Sequence, residues 1–298
     1  MTHNARRFLL AALILIGSAV AGLAQDVRLD VPYVPTKYPV VDEMLRMAAV
    51  TKSDIVYDLG CGDGRLVITA AQKFGCRGVG YDIDPERIKE CLENAKAAGV
   101  TDKVKFILGD LFQADFHEAT VIPMYLLPSV NLKLRPKILR ELKPGSRIVS
   151  HDFSMGEWTP DDQASLEVDG ISHEVYGWVI PANVSGEWTW TAVLGSGPVS
   201  FGMNVTQRFQ VAEAKVTVNG AAAVVKELTL KGADLRFTVE AKIGGKPAVL
   251  SFEGKAAGHQ LDGQIKGALD GKSVASAWKA ARRPGTEKRI DEAATDIY

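Results

Sequence analysis

The sequence predicts two folded units in series: an α/β domain on a mostly parallel sheet, then a small all-β antiparallel barrel or sandwich. Three observations carry this reading. Strand-like and helix-like segments alternate from Lys37 to about Ala182, the pattern of parallel strands joined by crossover helices. After Pro181-Ala182-Asn183 the texture changes to short alternating runs separated by Gly, Asn-Gly and Asp-Gly turns, with almost no helical period. Finally, 298 residues that are 46% apolar and 24% charged suffice for one large core or two ordinary ones.

In the first unit, Ile55 to Leu59 reads as a strand, Arg65 to Phe74 as a helix and Gly78 to Ile83 as the second strand. Pro85 to Ala98 follows as a helix, with Pro85 in its first turn and Asp84 placed to cap it. Val104 to Leu108 and Thr120 to Met124 give the third and fourth strands. Leu132 to Leu142 is a helix stopped by Lys143-Pro144-Gly145, and Arg147 to Phe153 is the fifth strand. Leu166 to Val168 and Glu174 to Ile180, around Gly170, form an antiparallel hairpin at the sheet edge, which makes seven strands in all.

In the second unit, Leu235, Phe237, Val239 and Ala241 put four apolar side chains on one strand face, while Arg236, Thr238 and Glu240 point the other way. Asn219-Gly220, Gly244-Gly245 and Asp270-Gly271 are hairpin turns. About eight strands fit between Glu187 and Ala281, enough to close a small barrel. The polar residues from Arg282 onward read as a loose tail. The expected boundaries are thus 1–24 for an N-terminal leader, 25–182, 183–282 and 283–298.

The leader is read from Arg6 and Arg7 ahead of the apolar run Phe8 to Val20, followed by small residues through Ala24. That order matches an export signal, and the run is short for a spanning helix of about 20 residues. Export, or anchoring in a membrane through this segment, is the expectation. A formal net charge of -1 gives no general electrostatic reason for binding nucleic acid, so no nucleic-acid partner is expected. Cys61, Cys76 and Cys91 are odd in number and read as small buried apolar residues, not a disulfide framework. No metal site is read from the sequence.

The chemistry concentrates in Asp58-Leu59-Gly60-Cys61-Gly62-Asp63-Gly64, where a strand must turn sharply into a helix and glycine lets the backbone approach a ligand closely. A dinucleotide fingerprint needs glycine where Arg65 stands, so a dehydrogenase fits poorly. Asp82 ends the second strand, placed to accept hydrogen bonds from ribose hydroxyls. Asp110, after Gly109, reads either as an acceptor for an adenine amino group, with Leu111 packed on the ring, or as an ordinary turn aspartate. These motifs end successive strands and converge on the crevice where open α/β sheets bind ligands.

Residues 37 to 153 resemble class I S-adenosylmethionine (SAM) methyltransferases through the glycine loop, Asp82 and Asp110. A narrower likeness is to the family of the mitochondrial ATP-synthase c-subunit lysine methyltransferase. It is carried by Val31-Pro32-Tyr33-Val34-Pro35-Thr36 before a helix, the loop VYDLGCGDGRLVITAA, and a fourth strand running into Tyr125-Leu126-Leu127-Pro128. The resemblance implies a Rossmann-like fold, SAM as cofactor and a protein-lysine acceptor. Cofactor-binding residues are then Thr36, Asp58, Gly60, Gly62, Gly64, Asp82, Asp110 and Leu111, and Tyr125, Pro128 and His151 are the candidate catalytic residues. Tyr125 reads equally as an amine-orienting group and as a packed aromatic. His151 with Asp152 reads as an aid to proton removal or as hydrogen-bonded structure, and Tyr33, Pro35 and Thr36 read as a lid or a plain entry strand. Ser185-Gly186-Glu187-Trp188 resembles the opening of lipocalin-like barrels, with Trp188 a core plug paired with Trp278, or the wall of an apolar ligand cavity. Three functions follow: methylation of a protein lysine or other amine with the β domain recruiting the acceptor, methylation of a small molecule or lipid, or an exported binding protein without the reaction.

Overall fold

A computed structural model of the protein describes residues 33–195 and 197–291. The leader expected at 1–24 lies outside the described residues. The chain opens with α1 (Tyr38–Met47) and continues through β1 (Ile55–Leu59), α2 (Arg65–Phe74), β2 (Arg77–Asp82), α3 (Pro85–Ala97) and β3 (Val104–Leu108). Then come β4 (Val121–Met124), α4 (Pro128–Glu141), β5 (Arg147–His151) and the hairpin β6 (Asp162–Val168) and β7 (Ile171–Val179). The sheet order is β3-β2-β1-β4-β5-β7-β6. Strands β1 to β5 are parallel, and β7 runs antiparallel to both neighbours.

Local chemistry accounts for these elements. Every residue of β1 is buried, as a central parallel strand covered by helices on both faces requires. Asp84 caps α3 by accepting from the Glu86 N–H, and Pro85 occupies the first turn. Helix α4 starts at Pro128, four residues before the expected start at Leu132. Proline's fixed φ nucleates the first turn there, and its polar Ser129 and Asn131 hide the helical pattern. The edge hairpin is longer than expected because Asp169 (φ 55°) and Gly170 (φ 75°) make a tight turn that lets both strands pair to their ends.

The second unit has eight strands: β8 (Gly186–Leu194), β9 (Gly197–Arg208), β10 (Val211–Val218), β11 (Ala221–Lys231), β12 (Asp234–Ile243), β13 (Lys246–Ala257), β14 (Gln260–Leu269) and β15 (Lys272–Arg282). Each pairs with the next and β15 returns to β8, so the sheet is a closed barrel and not a sandwich. Closure removes the unpaired strand edges an open sheet would present. Strand β8 alternates buried and exposed residues without a break, and Trp188, Trp190, Ala192 and Leu194 point inward.

An eight-stranded barrel is just wide enough for side chains to fill it. Here Trp190, Phe201, Phe237, Phe252 and Trp278 fill the interior with ring centroids 4.7 to 5.9 Å apart. Trp278 therefore packs on Trp190 and not, as expected, on Trp188. Trp188 closes one end of the barrel. Its indole N–H donates to the Val184 carbonyl, and the Arg282 guanidinium lies 5.0 Å from its ring centre.

Two connections lock the barrel to the α/β domain. At the β9–β10 turn, Phe209 (φ 52°) stacks on Trp158 with 5.5 Å between centroids, inside the first domain's core. Next to it, Gln210 accepts from the Trp158 indole (2.7 Å) and donates to the Thr159 carbonyl. The described part of the expected loose tail, 283–291, is anchored. Lys288 is held by Asn183 and Ser185, and Ile290 accepts from the Phe209 N–H. Among the described residues, no helix is long and apolar enough to cross a membrane.

Candidate active site

The C-terminal ends of β1, β2 and β3 point into one crevice beside β4, where the chain order reverses across the sheet. Gly60 (φ 88°) and Gly62 (φ 54°) hold left-handed backbone that side chains rarely adopt. With that geometry the loop turns back on β2: the Gly60 and Cys61 N–H groups donate to the Tyr81 carbonyl, and the Gly62 N–H donates to Asp82 (2.8 Å). A Cβ on Gly62 would collide with the Tyr33 ring, so the entry segment lies directly on the glycine loop. Arg65 fastens the two, pairing with Asp63 and donating to the Thr36 carbonyl (2.8 Å). Arg87 sits over the Tyr33 ring at 4.6 Å.

The resulting cleft opens to solvent, and the empty space in it and at its mouth comes to about 930 Å³. Thr36, Asp58, Gly60, Gly62, Asp82, Asp110, Leu111 and Tyr125 all line it. Gly64 and Pro128 stand differently. Gly64 caps the start of α2, and Pro128 is the exposed first residue of α4. Leu126, from the segment Tyr125-Leu126-Leu127-Pro128, lines the cleft as well, and so do Ile83, Arg87 and Leu66, which were not anticipated. Their signal was weak, since each reads as an ordinary strand or helix residue.

The cleft has two chemical ends. At one, Asp58 is 2% exposed, and burial beside the Asp82 and Asp63 carboxylates pushes its carboxyl well above the usual range. Burial also raises Asp82, against the N–H donors of Asp84 and Gly62. Carboxyl groups gathered in this way favour a cation. At the other end, Tyr125 lies over His151, with ring centroids 3.9 Å apart, and Phe153 stacks behind it. His151 is 1% exposed and sits behind Tyr125 instead of in the cleft wall. Desolvation, with some help from His173 and against the pull of Asp152, takes its pKa down to about 4, so the imidazole is neutral near pH 7. Thr36 bonds its Nδ1 at 3.3 Å.

The residues present fit SAM, a cation with a ribose and an adenine. The acidic end answers its positive charge, Asp82 offers carboxylate oxygens at the end of β2, and Asp110, with Oδ1 accepting the Phe112 N–H, stands beside the apolar Leu111. Asp58, Asp82, Asp110 and Leu111 would hold it.

Comparison with known proteins agrees. The family model described as the ANTKMT methyltransferase domain matches residues 58–162. A protein-lysine N-methyltransferase of Saccharolobus islandicus is 49% identical over 151 residues, which are 50% of this chain and 94% of that protein. The human ATP-synthase c-subunit lysine N-methyltransferase is 30% identical over 144 residues, 48% of this chain and 61% of the human one. Among solved structures, an RNA methyltransferase of Salinibacter ruber in complex with S-adenosyl-L-homocysteine is 54% identical, covering 51% of this chain and 96% of that one, with a TM-score of 0.48. With about half of the aligned residues identical along nearly the whole Saccharolobus enzyme, the chain belongs to the protein-lysine N-methyltransferase family, and its α/β domain is a SAM-dependent methyltransferase.

Proposed function

We propose that the enzyme transfers the methyl group of SAM to the side-chain amine of a lysine in a protein acceptor. The observation that carries this reading is Tyr125, an aromatic just after β4 that lines the same cleft as Asp58 and Asp82 and is backed by a buried, neutral His151. The names of the Saccharolobus and human relatives support it.

Bound SAM supplies an electrophilic methyl group on a positively charged sulfur. The protein's part is to align the amine in line with that carbon and to exclude water. The ring face of Tyr125 attracts a lysine ammonium. Partial burial then favours loss of its proton, because desolvation disfavours the charged amine. Tyr125 is itself held above its ordinary pKa by burial, so its hydroxyl stays protonated and accepts or donates as the amine requires. Thr36, joined both to Arg65 and to His151, ties the entry segment to this end of the cleft. The barrel, docked through Phe209, offers a surface for a protein acceptor beside the domain.

The test is to incubate the purified enzyme with methyl-labelled SAM and extracts of its own cells. Label in discrete protein bands, recovered as methyl-lysine after hydrolysis, is expected. Label confined to RNA or to an organic extract would overturn the acceptor assignment. For location, we infer export or membrane anchoring from Arg6, Arg7 and the run Phe8 to Val20. Residues 1–30 fused to a reporter active in only one compartment test this, and cytoplasmic activity would sink it.

A further inference from the structure

We propose that His151, Asp152 and His173 form a binding site for one divalent transition-metal ion of the zinc class, directly behind Tyr125. Three atoms from these residues face one another. His151 Nε2 lies 2.9 Å from His173 Nδ1 and 3.2 Å from Asp152 Oδ2, and His173 Nδ1 lies 3.3 Å from the same Oδ2. Metal–ligand bonds of about 2.1 Å put neighbouring donors about 3.0 Å apart in an octahedral site and about 3.4 Å apart in a tetrahedral one. The three edges fall in or just beside that interval. An ion about 2.1 Å from all three atoms stands about 1 Å off their plane, which leaves its outer side open to a water or another ligand.

Hydrogen bonding alone serves this triangle poorly. A single proton on the His151–His173 edge satisfies that pair, and protons on both nitrogens would repel. One cation at the centre satisfies all three atoms together. Two imidazoles and one carboxylate are also the donor set that zinc and neighbouring first-row ions accept.

The surroundings are those of a built site. Consecutive residues in a strand point to opposite faces, yet His151 and Asp152 converge. The convergence comes from Asp152, whose φ of 57° bends the chain so that the Phe153 N–H donates back to the His151 carbonyl (2.7 Å). Left-handed backbone on a residue other than glycine is costly and persists where the surroundings enforce it. Outer groups fix the ligands as well. Thr36 holds the far nitrogen of His151, and the Glu174 N–H donates to Asp152 Oδ1 (2.9 Å), leaving Oδ2 for the site. The register β5–β7 then delivers His173 from across the sheet. The His173 and Asp152 side chains are 12% and 28% exposed, so an ion can enter from solvent, while Tyr125 and Phe153 supply an apolar wall.

This inference does not depend on the identity of the methyl acceptor, and its readout is metal content. The full chain is stripped with a chelator, desalted and titrated with Zn²⁺ and separately with Co²⁺, followed by elemental analysis, calorimetry and visible absorption. One equivalent of zinc per chain is expected, with cobalt showing the absorption bands of an ordered nitrogen and oxygen site. His173→Ala and Asp152→Asn, checked for folding by circular dichroism and for retained SAM binding, should each weaken zinc binding at least about 100-fold, since even outer-shell changes cost about 10- to 100-fold. No stoichiometric zinc or cobalt on the wild-type chain overturns the proposal, and so does a full equivalent that survives both substitutions. The wild-type measurement stands even if a variant fails to fold.

Discussion

The α/β domain and the barrel bury polar groups in opposite ways. In the α/β domain Asp54, Asp58, Asn131, Ser150 and His151 are all buried, with Asp58 in the cleft wall and His151 behind Tyr125. In the barrel the buried polar residues among those described are Ser185 and Arg282, both at the end that Trp188 closes. Backbone strain divides along the same line. Outside glycine, the barrel's left-handed residues are Phe209, Asn219, Glu227 and Asp270, at hairpin turns or at the register shift in β11. The α/β domain has Ala49 just after α1, Asp169 at the turn of its edge hairpin and, away from any hairpin, Asp152, which sits at a strand end beside a cluster of titratable groups. Desolvated polar groups and strain away from turns cost stability, and they stand where ligands are handled. The barrel's interior holds two desolvated indole N–H groups without a partner, those of Trp190 and Trp278, but among the described residues no buried carboxylate or imidazole and no strained residue, which is the profile of a scaffold.

The largest effect should come from the scaffold. Trp278→Ala removes a fully buried ring that meets Trp190, Phe237 and Phe252, and a loss of about 4 kcal/mol in unfolding free energy is expected. Denaturant unfolding and calorimetric SAM titration on the same variant separate the two regions. A large loss of SAM affinity in the folded variant would break the comparison.

Asp82→Ala is the converse. Losing the acceptor of the Gly62 N–H and the ribose partner should cost about 2 kcal/mol of SAM binding, roughly 30-fold in Kd. The barrel's thermal transition should stay put. If SAM affinity is unchanged, the cleft is not the cofactor site.

A smaller effect tests the polar half of the contrast by pH. Asp54 is 5% exposed and accepts from Thr51, Thr120 and Arg147. Burial alone would raise its pKa, but these donors together hold it below the ordinary value. A lowered folded-state pKa stabilises the protein above the unfolded value of about 3.9, and that contribution disappears as pH falls through the folded-state value. Wild type should therefore exceed Asp54→Asn by about 1.5 kcal/mol near pH 7, with the gap closing below about pH 4. A gap that stays constant with pH would show that the carboxylate's charge is irrelevant.

Much of this molecule is legible in one dimension because its signals are local. The alternation in β8 and β12, the Asn219-Gly220 and Asp270-Gly271 turns and the cap at Asp84 each depend on a few neighbouring residues and on backbone preferences that any context shares. The glycine loop is legible for the same reason, since its positive φ angles require residues without Cβ. Asp82, Asp110 and Leu111 follow from their place at strand ends.

What the sequence by itself determined, then, is the set of elements, the two-unit division and the motif-bearing strand ends of the cleft. Only the tertiary structure decided the partnerships that span many residues. It brought β15 back to β8 to close the barrel and moved Trp278 from Trp188 to Trp190. It set Phe209 into the other domain's core and placed His173 against His151 and Asp152. His173 carries no local mark, because it lies in a strand whose face and partner are fixed by register with β5, 22 residues away. The physical reason is that local conformation follows from the short-range sterics of each segment. Which segments meet is decided by the combined burial and pairing of the whole chain.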